Sequence, residues 1–176
     1  MPSGVGLRWV GLILAIVLLD QGTKQLVVSL LEPGRPMVVL ASGTLPSVDF
    51  ILSYNKGISF SFLRFADDAQ RWPLVALSLL ACGLLGWWLS RVLTSQPIQA
   101  FGLALIIGGA LGNMLDRVRI GSVIDFVHVS YKAWSFAVFN LADTAITLGA
   151  LATLASTFLE PQGVGTESQE PPRHGR

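Results

Sequence analysis

Apolar and polar positions divide the chain into four long apolar runs joined by mixed segments. The first covers about residues 7–31 and is interrupted only by Asp20 and Lys24. The second, about 72–93, holds no charge between Arg71 and Arg91. The third, about 97–115, follows Pro97 and ends where Asp116 and Arg117 stop it. The fourth, about 138–159, contains "VFNLADTAITLGALATLASTF", apolar except near its start, where Asn140 and Asp143 stand. A helix needs about 20 mainly apolar residues to cross a bilayer, and each run has that length. The pattern predicts an α-helical polytopic membrane protein with four transmembrane helices. An even number of crossings puts both termini on one side, and residues 32–70 and 117–137 on the other.

Inside the first of these segments the period changes from helical to alternating. Phe50, Leu52 and Tyr54 alternate with Ile51, Ser53 and Asn55; Ile58, Phe60 and Phe62 alternate with Ser59 and Ser61. Asn55-Lys56-Gly57 lies between, where a tight turn fits. This predicts a hairpin in a β-rich loop over about 37–65, with one apolar and one serine-rich face, as part of a small antiparallel sheet on the membrane surface. "SVIDFVHV" around Asp125 also reads as extended. The tail 160–176 is rich in Pro, Gly and polar residues without periodicity and is expected to be disordered.

Composition agrees with the spans. Hydrophobic residues make up 52% and charged residues 13%, about half the usual charged share. Such a chain has too few charges to cover a soluble surface. A net charge of +1, with no basic run, argues against a nucleic-acid partner. The first run ends in "DQGTK" rather than in a small-x-small cleavage pattern, so it reads as a retained helix. Cys82 stands alone and forms no internal disulfide. Orientation is harder. The terminal side carries Arg8, Arg91, Arg173 and Arg176; the other carries Arg35, Lys56, Arg64, Arg71, Arg117, Arg119 and Lys132. The positive-inside rule then points away from a cytoplasmic N-terminus.

Ionisable residues within a bilayer are costly and raise a functional hypothesis by default. Asp20 and Lys24 share a helix face, as a neutralised pair or as a positioning device. In "GGALGNMLDR", Gly108, Gly109 and Gly112 permit close helix approach, Asn113 can hydrogen-bond across helices, and Asp116 and Arg117 are interfacial. Asp125 sits among apolar neighbours. Asp143, three residues after Asn140, reads equally as half of a capping box and as chemistry. Asp116, Arg117, Asp125 and Asp143 all fall at one membrane face. Two carboxylates near an apolar interface suggest a dyad sharing one proton, one acid activating water and the other protonating the substrate. Serine–histidine chemistry and a metal site are poorly supplied, with His128 the only histidine outside the tail.

"DQGTK", "YNKGISFSF", "GGALGNMLDR", "VIDF" and "FNLAD" occur in this order over about residues 10–157. Together they closely resemble lipoprotein signal peptidase, or signal peptidase II, a bacterial inner-membrane aspartyl peptidase family. The resemblance implies four helices with a small extracytoplasmic β-cradle, both termini cytoplasmic, and catalytic aspartates at Asp125 and Asp143. It implies supporting or substrate-positioning roles for Asp20, Lys24, Asn55, Gly108, Asn113, Asp116, Arg117 and Asn140. The implied substrate is a lipid-modified prolipoprotein cleaved before its lipidated cysteine. Membrane lipids are the other expected partner, the chain is expected to act as a monomer, and no cofactor or metal is implied. The chain departs from the family pattern at "NKGISF", where Ile58 and Ser59 replace two small residues. Two other classes compete: a small proton- or ion-coupled transporter or membrane chaperone, and a structural membrane subunit.

Overall fold

The structure, a computed structural model, describes residues 4–40, 45–57 and 71–159. In chain order the elements are α1 (Gly4–Leu30), β1 (Met37–Leu40), β2 (Ser47–Asn55), α2 (Arg71–Val92), α3 (Pro97–Ile120), β3 (Val123–Tyr131), β4 (Trp134–Ser135) and α4 (Leu141–Leu159). All four helices are long and apolar enough to cross a membrane. α3 is the inner helix, packed against α1, α2 and α4. The other three expose rows of Leu and Trp that water would not tolerate and lipid would.

Glycine explains why α3 takes the centre. Between helices in a membrane the gain comes from close van der Waals packing, which small residues allow. A Cβ at Gly102 would stand 2.6 Å from Gly149 O, and one at Gly109 would strike Ala142 O, so α4 lies directly on α3. A Cβ at Gly108 would stand 2.8 Å from Ile16 Cβ, and one at Gly112 2.5 Å from Asp20 Oδ2, which seats α1 on the adjoining face. Pro97 opens α3, where a missing N–H costs nothing. Gly121 closes it in the left-handed conformation, its N–H bonded to Arg117 O at 3.1 Å. The helix therefore runs past Leu115, with Asp116 and Arg117 inside its last turns instead of beyond its end.

The strands form one antiparallel sheet in the order β1-β2-β3-β4. The alternating run at Phe50–Tyr54 is strand β2, as its pattern predicts. It pairs with the preceding strand β1 on one side and with the distant β3 on the other, Phe50 opposite Val127 and Ser53 opposite Asp125, with a register shift between. The second half of the expected hairpin, Ile58–Phe62, lies outside the described residues, as does the tail 160–176. Leu52, Ile124 and Phe126 pack on Val27 and Leu31 at the end of α1, and Phe50 meets Phe126 edge-on at 6.0 Å. Burying one such ring contributes about 2–3 kcal/mol. This small core fixes the sheet to the end of the bundle formed by the C-termini of α1 and α3 and the N-terminus of α4.

Candidate active site

Polar side chains converge at that end of the bundle. Asp20 and Lys24 stand one turn apart on α1 and both face α3. Lys24 Nζ lies 2.8 Å from Asp20 Oδ2 and 2.7 Å from Asp116 Oδ2, and it donates to Asn113 Oδ1 at 2.9 Å. Each ammonium proton has an acceptor, as a side chain with no exposed surface requires. The other carboxylate oxygens also have donors. Ala142 N donates to Asp20 Oδ1 at 3.0 Å, Gln21 Nε2 to Asp116 Oδ1 at 2.9 Å, and Ile124 N to Asp116 Oδ2 at 3.3 Å. This buried cluster ties α1 to α3, to the start of α4 and to β3.

Asn113 passes the arrangement on. Its Oδ1 accepts from Lys24 and from Asn140 Nδ2 at 3.1 Å, while its Nδ2 donates to Asp143 Oδ1 at 2.8 Å. Asn140 caps α4. Its Oδ1 accepts from Asp143 N at 2.9 Å, and Asp143 Oδ2 accepts in return from Asn140 N at 3.2 Å, a reciprocal capping box. The other end of the same amide, Nδ2, donates to Asp125 Oδ1 at 2.7 Å. Asp125 Oδ2 accepts from Asn55 Nδ2 at 3.0 Å. One asparagine side chain therefore touches both the Asp125 carboxylate and the residue that bears the Asp143 carboxylate.

Their settings differ. Asp125 lies on β3, 2% exposed, among Val123, Ile124 and Phe126. Burial pushes its carboxyl up from 3.8 to about 6, and the charge of Asp143 adds to that; the bonds from Asn55 and Asn140 and the Lys24 charge pull back. Asp143 sits in the first turn of α4, where the helix dipole favours an anion. Beside it lies an apolar groove of about 410 Å³, lined by Phe136, Phe139, Thr144, Thr147 and Leu148. Arg117 stands at the margin, within electrostatic reach of Asp143, Asp125 and Asp116. A buried acid pushed towards its protonated form, a second carboxylate at a helix start close by, and an apolar groove next to them make a setting that can activate water against a bound amide.

A family model described as signal peptidase (SPase) II matches residues 12–159. The chain belongs to the signal peptidase II family. It is 41% identical over 157 residues to a lipoprotein signal peptidase of Acinetobacter baumannii, covering 89% of this chain and 86% of that one. It is 38% identical over 159 residues to a lipoprotein signal peptidase of Pseudoalteromonas atlantica, covering 90% and 94%. Two solved structures described as bacterial membrane enzymes share the fold. One has a TM-score of 0.74 at 20% identity, covering 85% of this chain and 92% of the other; the second has 0.72 at 19%, covering 94% of each. Membership makes the chain a membrane peptidase.

In this signal peptidase II, eight of the ten residues singled out in the sequence meet in one hydrogen-bonded network: Asp20, Lys24, Asn55, Asn113, Asp116, Asp125, Asn140 and Asp143. Among the described residues, Arg117 reaches it only by a long 3.5 Å contact to Asn113 O. Gly108 stands apart, at the crossing with Ile16, and acts on helix spacing. Sequence reasoning missed Gln21, which donates to Gly112 O and Asp116 and accepts from Arg119 at 2.9 Å. Its signal was its place beside Asp20 in "DQGTK". His128, dismissed as a lone histidine, has Ser135 Oγ at 2.8 Å and Asp49 Oδ2 at 3.5 Å.

Proposed function

We propose that the chain is an aspartic endopeptidase of the bacterial inner membrane, with Asp125 and Asp143 as its catalytic pair. It removes the signal peptide from lipid-modified prolipoproteins, cleaving before the lipidated cysteine. The names of its relatives support the substrate class. The observation that carries the mechanism is the Asn140 side chain, which holds Asp125 through Nδ2 and the Asp143 backbone through Oδ1.

Asp143 takes a proton from water as the water oxygen bonds to the scissile carbonyl carbon. Asp125 gives its proton to the carbonyl oxygen, and a tetrahedral diol forms. Asp143 then protonates the leaving amine, Asp125 recovers a proton from a diol hydroxyl, and the C–N bond breaks. The products are a carboxylic acid and an amine, and both aspartates return to their first state. The protein supplies no covalent nucleophile. The site stands at one end of the spans, which suits a substrate that is itself a membrane helix whose cleaved bond must meet water. In this reading both termini are cytoplasmic, the site faces the extracytoplasmic side, the enzyme works as a monomer, and membrane lipid surrounds it.

The test is to incubate the purified protein with a lipid-modified preprolipoprotein and follow the shift to mature size. Cleavage is expected from the native chain and none from Asp143→Asn. Undiminished cleavage by a folded Asp143→Asn variant would overturn the assignment.

A further inference from the structure

The catalytic reading leaves one polar cluster unused. Asp49 on β2, His128 on β3 and Ser135 on β4 line up across three strands of the sheet. Asp49 and His128 are register partners, and Ser135 is the partner of Ser130, two residues along the same face of β3. An ionised carboxylate can only accept, so His128 Nδ1 carries the hydrogen towards Asp49. In the neutral ring Nε2 is then an acceptor and receives the Ser135 hydroxyl, at 2.8 Å. The chain thus has a direction, serine to histidine to aspartate, with its tighter bond at Ser135.

Strand alternation places His128 on the face opposite Asp125, so it does not touch the reacting groups. What it holds is the neighbouring strand. β4 is two residues long, and Trp134 and Phe136 are 77% and 62% exposed, so little burial keeps it down. Among the described residues, the contact with His128 is the one hydrogen bond made by a β4 side chain. The chain runs directly from β4 into Phe136–Phe139. Phe136 N bonds Val129 O at 2.9 Å, and Phe139 exchanges two bonds with Val127. Phe136 and Phe139 form one wall of the groove beside Asp143. In the opposite wall, the Thr144 and Thr147 hydroxyls bond carbonyls one turn back, at 3.0 and 2.8 Å, so neither offers a free donor. Apart from Asp143 the groove is apolar, and its shape depends on where the Phe136–Phe139 segment stands.

We propose that His128 is a positioning residue: by holding Ser135 it fixes the Phe136–Phe139 wall of the groove, where the apolar flank of the cleaved peptide is seated. This rests on Asp143 being catalytic. It concerns substrate seating and not the chemical step, so the change should fall on KM.

Steady-state cleavage of a lipid-modified preprolipoprotein tests it in Ser135→Ala, His128→Ala, the double variant and His128→Gln. Loss of one neutral hydrogen bond corresponds to about a fivefold rise in KM. That rise is expected in both alanine variants with kcat within about twofold, and the double variant should be no worse than either single one. His128→Gln, whose amide can still face Ser135 and Asp49, should recover most of the loss. An unchanged KM in Ser135→Ala, a loss confined to kcat, or additive losses in the double variant would overturn the proposal. A normal KM in Ser135→Ala beside an inactive Asp143→Asn sinks this proposal alone. Cleavage by Asp143→Asn sinks the catalytic reading itself.

Discussion

Asn140 holds Asp125 and the start of α4 with opposite ends of one amide, so helix capping and the geometry of the proposed catalytic pair are the same structural fact at this residue. Asp125→Asn and Asp143→Asn should each cut kcat by about 10²–10⁴-fold, the contribution of one positioned proton-transfer group. A single-turnover cleavage assay checks this. The Asp125 carboxyl, raised to about 6, must be protonated for the proposed step. The kcat/KM of the enzyme, which reports the free protein, should therefore decline as pH rises through about 6. The same shift has a sign for folding. A raised pKa means the folded chain binds the proton more tightly, so this stabilisation is fully present below 3.8 and is lost as pH rises through about 6. It amounts to at most about 3 kcal/mol, and Asp125→Asn should flatten that part of a thermal-unfolding pH series. Lys24 makes a separate prediction. Lys24→Met leaves Asp20 and Asp116 facing each other without a cation, at a cost of about 3–5 kcal/mol. Adding Asp116→Asn should restore part of it in a detergent melt. Most of this network was legible in the sequence, because aspartates, asparagines and a lysine inside apolar runs are rare. What no local window showed was the partnership of each, such as Lys24 with Asn113, because those contacts join separate helices.

At the scale of the element, α3 shows where local rules lose to tertiary ones. Asp116 and Arg117 read as a stop signal, yet the helix continues to Ile120, because Lys24 from α1 neutralises Asp116 inside the bundle. The β2 strand shows the converse. Its alternation was plain in the sequence, but its pairing to β3 joins residues more than seventy positions apart, such as Ser53 and Asp125. At the turn-like Asn-Lys-Gly, Asn55 turns its Nδ2 to Asp125, and its Oδ1 accepts from Gly57 N. The glycines of α3 yield a further test. At Gly109 an added Cβ would meet the Ala142 backbone, which cannot move without shifting the start of α4 and with it Asp143. Gly109→Ala should lower both thermal stability and cleavage. Gly86→Ala on the outside of α2, with open space around it, should leave both unchanged.

Across the whole molecule, the charge count that points away from the proposed orientation includes side chains with structural duties. Arg117 faces three carboxylates and Arg119 donates to Gln21, so neither reports freely on the surrounding membrane field. The proposed orientation is checked by impermeant maleimide on intact cells, in a Cys82→Ser background. Ser130→Cys on the sheet should react, and Ser95→Cys between α2 and α3 should not. The polar network also stops abruptly. Asp20 is its deepest charge, and on α1 the next charged residue is Arg8, about 18 Å away along the helix axis. Between the buried ion cluster and Asp143 stands Asn113, an amide that neither releases nor accepts a proton at ordinary pH. In the proposed reaction, the protons consumed and returned therefore exchange with one aqueous side only. A cell can keep such an enzyme in an energised membrane without draining its electrochemical gradient: the wall of leucines below Asp20 is electrical insulation as much as lipid contact.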